Sequence, residues 1–154
     1  MIAGRNALLA GGGTEYWGLT FTAEQAGSTV AFAKTGSPSG TVYLDYSTNG
    51  GVTWKNYSVG TVLTLSRAGQ RVCFAARAGY TNSAINQSGA SSTKYYGFKL
   101  TGKVAASGDV SSLRSNNKDT APAMALSSYC YADLFYNCAA LTAAPALPAT
   151  TLAG

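Results

Sequence analysis

The chain has 154 residues, enough for one ordinary domain or for a domain of about 100 residues and the start of another. Only 11% of it is charged, and eleven Lys and Arg against six Asp and Glu leave a net charge of +5. So little charge excludes a long solvated helix, and no stretch approaches the roughly 20 apolar residues that a membrane-spanning helix needs.

Residues 1–14 show no hydrophobic period and end in Gly11-Gly12-Gly13-Thr14, so they are expected to be a flexible or docking segment. Arg5 in the middle and a short apolar run before the glycines make a poor secretory signal. The triple glycine is not followed by the Lys-Ser/Thr of a phosphate cradle.

Residues 15–107 read as an all-β domain, an antiparallel β-sandwich or small barrel of seven or eight short strands. Trp17, Leu19 and Phe21 alternate with Gly18, Thr20 and Thr22, and Val30 and Phe32 share a face in Thr29 to Lys34. Gly36-Ser37-Pro38-Ser39-Gly40 is a turn cluster. Val42, Leu44 and Tyr46 alternate with Tyr43, Asp45 and Ser47. Asn49-Gly50 then predicts a type I′ hairpin returning through Val52 to Tyr57. Further strands are expected at Thr61 to Leu65, at Arg71 to Ala76 with Val72, Phe74 and Ala76 inward, and at Tyr96 to Leu100. Lys103 to Ala106 is expected to pair beside that last strand.

Between them, Gly79 to Thr93 is a polar loop without period, and long loops on rigid β scaffolds are where recognition is usually placed. Tyr80, Asn82, Asn86, Gln87, Tyr95 and Tyr96 are the candidate binding residues, supplying aromatic platforms and amide donors suited to sugars. Arg67, Arg71, Arg77, Lys94, Lys99 and Lys103 would make a basic face only if all pointed one way. Solvated strand faces are the simpler expectation, and no nucleic-acid partner is expected.

Residues 108–154 read as a cap and the first unit of a repeat. Pro122-Ala123-x-x-Leu126 recurs at Pro148-Ala149-x-x-Leu152, 26 residues on, and a period in the range of 20–50 residues marks a solenoid. By that offset the sequence given is cut within a second unit. Ser127 or Ser128 is expected to cap a short helical turn over Tyr129 to Asn137, with Cys130, Leu134 and Cys138 on one stripe.

The run Ser127 to Leu152, with Cys-Tyr-x-x-Leu-Phe-Tyr-x-Cys-x-x-Leu-Thr-x-Ala-Pro-x-Leu-Pro-Ala-Thr-Thr-Leu at its heart, resembles the repeat of BspA-like leucine-rich-repeat surface proteins. That family is found in gut Bacteroidetes and their phages, crAss-like phage virion fibre proteins among them. The resemblance implies an extended adhesion surface with Leu134, Phe135, Leu141, Leu147 and Leu152 as framework. Separately, Ser47 to Trp54 resembles the Asp-box turn of sialidases with Asn49 in place of Asp, which there is a structural turn and implies a packed Trp54 rather than an activity.

Catalysis is poorly supplied. No His is present, and Glu15, Glu24, Asp45, Asp109, Asp119 and Asp133 are dispersed. Cys73, Cys130 and Cys138 lack metal-site spacing, and a bridge between the last two is left open. These readings converge on a non-enzymatic protein without cofactor or metal. The resemblance implies a phage virion protein, a fibre or capsid decoration at the virion surface. It would be anchored through its N-terminal part to capsid or tail proteins, form a homo-oligomer, a trimer above all, and present repeats to a host surface glycan or protein. The alternative it implies is a bacterial cell-surface adhesin.

Overall fold

The computed structural model describes residues 18–85, 93–126 and 130–147, so Trp17, Asn86, Gln87 and Leu152 lie outside the described residues. Nine strands run through them in chain order: β1 Leu19–Ala23, β2 Ser28–Thr35, β3 Leu44–Ser47, β4 Lys55–Tyr57, β5 Val62–Leu65, β6 Arg71–Ala76, β7 Tyr95–Thr101, β8 Val104–Ser107 and β9 Leu141–Ala143. They form a six-stranded sheet in the order β4-β3-β6-β1-β8-β9 and a three-stranded sheet in the order β5-β2-β7. All pairs are antiparallel except β8 with β9. The protein is therefore all-β, and its sheets do not close into a barrel.

The alternating patterns explain the core. Leu19 and Phe21 on β1, Val30 and Phe32 on β2, Val72 and Phe74 on β6, and Phe98 on β7 are wholly buried between the two sheets. Phe98 touches Phe21 (4.6 Å between centroids), Phe32 (5.0 Å) and Phe74 (5.4 Å), mostly in tilted or edge-on poses. Such pairs add about 0.5–1.5 kcal/mol each beyond the apolar area they remove from water. Trp54 packs on Cys73 and Ala75 at the outer face of the six-stranded sheet.

Three expectations are corrected. The β3–β4 hairpin exists, but its positive-φ residues are Gly50 and Gly51, not Asn49, so the turn is not type I′ and β4 begins only at Lys55. Side chains build this loop instead. Asn49 Oδ1 accepts from the Thr53 amide at 2.9 Å, Ser47 Oγ accepts from the Gly51 amide at 2.9 Å, and Trp54 Nε1 donates to the Gly51 carbonyl at 2.8 Å. Second, β8 does not pair with β7. Gly102, at φ 79°, and Lys103 carry the chain across to the other sheet, where β8 joins β1.

Third, no helix forms over residues 130–138. Tyr131, Asp133 and Asn137 adopt positive φ, which breaks any helical stripe, and the segment is a chain of separate turns, with the amides of Leu134, Tyr136 and Cys138 donating to the carbonyls of Tyr131, Asp133 and Phe135, that also bonds sideways. The Tyr131 amide donates to the Ile85 carbonyl at 3.1 Å, and the Phe98 amide donates to the Leu134 carbonyl at 2.8 Å. Leu134 joins the common core, with Phe135, Cys138 and Leu141 packed against it, while Leu147 is 55% exposed. Among the described residues no repeat solenoid is formed; the segment fills the open side between edge strand β7 and strands β8 and β9. Cys73, Cys130 and Cys138 are free thiols. At one rim of the six-stranded sheet, isolated bridges join Gly18 to Asp109 and Asp109 to Ala146.

Candidate functional site

The two ends of the molecule differ. At one, the tight turns β1–β2, β5–β6 and β7–β8 gather, bonded through Ala23 with Gln70 and Glu24 with Lys103. Arg67, Arg71 and Lys103 lie here, whereas Arg77 and Lys94 stand at the opposite end, where β6 finishes and β7 begins. The six cations therefore do not share one face: β6 alone separates Arg71 from Arg77 by roughly 20 Å at 3.3 Å per residue.

The opposite end carries the exposed aromatic surface. The Tyr80 amide donates to the Arg77 carbonyl at 3.0 Å, and Gly79 at φ 82° lets the chain reverse at once after β6. That reversal lays Tyr80 over Tyr43, with ring centroids 4.3 Å apart at 36°, and the two are 43% and 38% exposed. The Arg77 guanidinium sits 5.7 Å from the Tyr43 ring centre, and its Nε donates to Asp45 Oδ1 at 3.1 Å. The pair is thus a ledge of two rings with a cation beneath it.

Asn82 pins this ledge from inside. Its Oδ1 accepts from the Tyr43 amide at 2.9 Å, and its Nδ2 donates to the carbonyls of Tyr43 (2.9 Å) and Leu113 (2.7 Å). Asn82 is only 1% exposed, so its amide is fully engaged with the backbone and offers nothing to a ligand.

Beside the ledge lies a groove of about 490 Å³ lined by Lys34, Thr41, Val42, Val59, Gly60 and Tyr96 among others. Tyr96 stacks nearly parallel on Phe32 (5.8 Å, 6°), and its hydroxyl donates to the Gly40 carbonyl at 2.9 Å.

The predicted binding residues therefore separate. Tyr80 and Tyr96 come to the same end and present ring surface, whereas Tyr95 is buried against Tyr136 on the outer side of the three-stranded sheet. The Lys99 ammonium donating to the Tyr95 hydroxyl at 2.9 Å holds that phenol below its usual pKa. Asn86 and Gln87 belong to the loop outside the described residues. Tyr43, Arg77 and Lys34 were not among the candidates. Tyr43 had a signal, an aromatic at the solvent parity between Val42 and Leu44.

For chemistry the acids are occupied or apart. Asp45 pairs with Arg77, and Asp109 accepts from the Ser111 amide at 2.8 Å. Among the described residues no group of three His, Cys, Asp or Glu gathers to hold a metal ion. Fold and site together define an all-β, two-sheet protein with an aromatic end. No family model, curated protein or solved structure matches the chain.

Proposed function

We propose that the chain is a non-enzymatic recognition and structural protein of a phage virion, a fibre or capsid decoration that meets the host surface. The observation that carries recognition is the Tyr43–Tyr80 ledge: two exposed rings in contact, with the Tyr43 backbone held by Asn82 and the Arg77 guanidinium against the Tyr43 ring. Rigid aromatic surface costs little ordering entropy on contact with a sugar ring or an apolar side chain. The virion assignment, the N-terminal anchor and the repeat surface draw support from the likeness of residues 127–152 to BspA-like repeats.

An antibody against this chain tests the location. Immunogold labelling of particles from an infected culture carrying the gene is expected to decorate the virion, with labelling of phage-free cells instead pointing to a bacterial adhesin. Light scattering of the purified protein is expected to give a trimer's mass.

A further inference from the structure

We infer that the groove at Lys34 is a subsite for the carboxylate of an acidic saccharide. The inference deepens the recognition reading and rests on it. On β2 the side chains that face the other sheet fall at every second position: Val30 and Phe32 are wholly buried, and the next inward position is Lys34. There the sandwich ends, and Lys34 stands exposed at its mouth as one of the residues that line the groove. Lys34 is exposed, and among the described residues no carboxylate pairs with it.

The walls are set rather than adaptable. Opposite Lys34 on the neighbouring strand stands Tyr96, whose ring is fixed by Phe32 on one side and by the Gly40 carbonyl at its tip. The other wall, Val59-Gly60, is tied down by the Gly60 amide donating to the Phe32 carbonyl at 2.7 Å. The Tyr57 hydroxyl continues this tie, accepting from the Phe32 amide at 2.8 Å and donating to the Thr61 carbonyl. Gly60 has open space where a side chain would stand.

A groove of about 490 Å³ falls within the roughly 300–1,000 Å³ of small-ligand sites. Its lining mixes one cation, a phenol ring, the Thr41 hydroxyl, and apolar faces at Val42 and Val59. Among the described residues no carboxylate lines it, and Asp45, on the strand that follows Val42, is paired with Arg77. A sugar ring offers apolar C–H faces for Tyr96 and hydroxyls for Thr41, and a uronic acid adds an anion for Lys34. A nucleic acid fits worse, because the other cations are spread over both ends rather than in a stripe.

The test is calorimetric titration of the full chain with tetragalacturonate and, in parallel, with a neutral galactose tetrasaccharide. The acidic oligomer is expected to bind at least about tenfold tighter than the neutral one, and Lys34→Ala to remove that preference, since a charge-assisted contact is lost. Lys34→Arg should retain it, and raising the salt should weaken it. Equal binding of both oligomers, an unchanged affinity in Lys34→Ala, or no binding of the acid at millimolar concentration overturns the proposal. If that happens while Tyr43→Ala/Tyr80→Ala still loses attachment to host cells, only the groove is disproved. If Lys34 governs acid binding yet no variant alters attachment, the groove stands and the host-surface reading falls.

Discussion

The amide of Phe98 donates to the carbonyl of Leu134 at 2.8 Å, which occupies a backbone donor on the free edge of β7. Phe135, next in the chain, stacks on the Phe98 ring at 5.7 Å and 17° and reaches Phe21 at 6.4 Å. The segment that follows the strands is therefore a wall of their core. An uncovered sheet edge invites foreign strands, and here the chain blocks its own.

Leu134 is 3% exposed, so Leu134→Ala is expected to destabilise the fold by about 2–5 kcal/mol through lost burial and the cavity left behind. Chemical denaturation of the full chain measures it. Unchanged stability would place residues 130–138 outside the core.

Gly97 allows the same approach. A methyl group there would come within 2.8 Å of the Asp133 carbonyl oxygen and 3.1 Å of that of Leu134. Gly97→Ala should therefore lower the melting temperature by several degrees, about 1–3 kcal/mol of overpacking strain, although alanine suits a strand better than glycine.

Asn82→Ala leaves the Tyr43 amide and the Leu113 carbonyl without their partner, while the Tyr43 carbonyl keeps the Arg77 amide. Each buried orphan costs about 1–3 kcal/mol, so a loss near 3 kcal/mol is expected after relaxation. Thermal unfolding reports the loss, and cell attachment should weaken with it because the ledge loses its peg.

Tyr43→Ala with Tyr80→Ala should separate function from folding. Both rings lie at the surface outside the core, so stability should change by about 1 kcal/mol, while attachment to host cells should fall about tenfold. A stable variant with undiminished attachment would place recognition elsewhere on the surface.

Burial pushes the Cys130 thiol up to about 11 from its ordinary 9.0, with the Arg114 charge partly opposing the shift. The folded state thus holds this proton longer than the unfolded chain. Its contribution to stability is intact below pH 9.0 and is lost as pH rises from there through about 11. Cys130→Ser should flatten that part of the stability–pH curve, and alkylation of native Cys130 at pH 8 should be slow.

Alternation made β1, β2, β6 and β7 legible, because the large apolar side chains of each fall on the face toward the other sheet, while the opposite face carries small or polar residues such as Thr20, Cys73, Ala75 and Gly97. It could not reveal where β8 goes. Hairpin logic favours a neighbour in sequence, whereas β7 has that edge filled by Leu134, so β8 finds its partner in β1. The spacing of Cys130, Leu134 and Cys138 imitates a helix, yet the Leu134 carbonyl accepts from the Phe98 amide, the Cys138 thiol donates to the Phe98 carbonyl and the neighbouring Tyr131 amide donates to the Ile85 carbonyl, all distant in sequence. At the candidate site, Tyr80 was readable as a loop aromatic and Tyr43 as a solvent-facing one. Their contact depends on the reversal at Gly79 and the peg at Asn82, and no local pattern encodes it.

Gly18 and Ala146 each bridge to Asp109, which sets two distant points of the polypeptide about 10 Å apart at one rim, two strand spacings of roughly 4.8 Å. Both bridges are parallel, so opposed pulls on the chain before Gly18 and after Ala146 would load these rungs together in shear rather than open them one at a time.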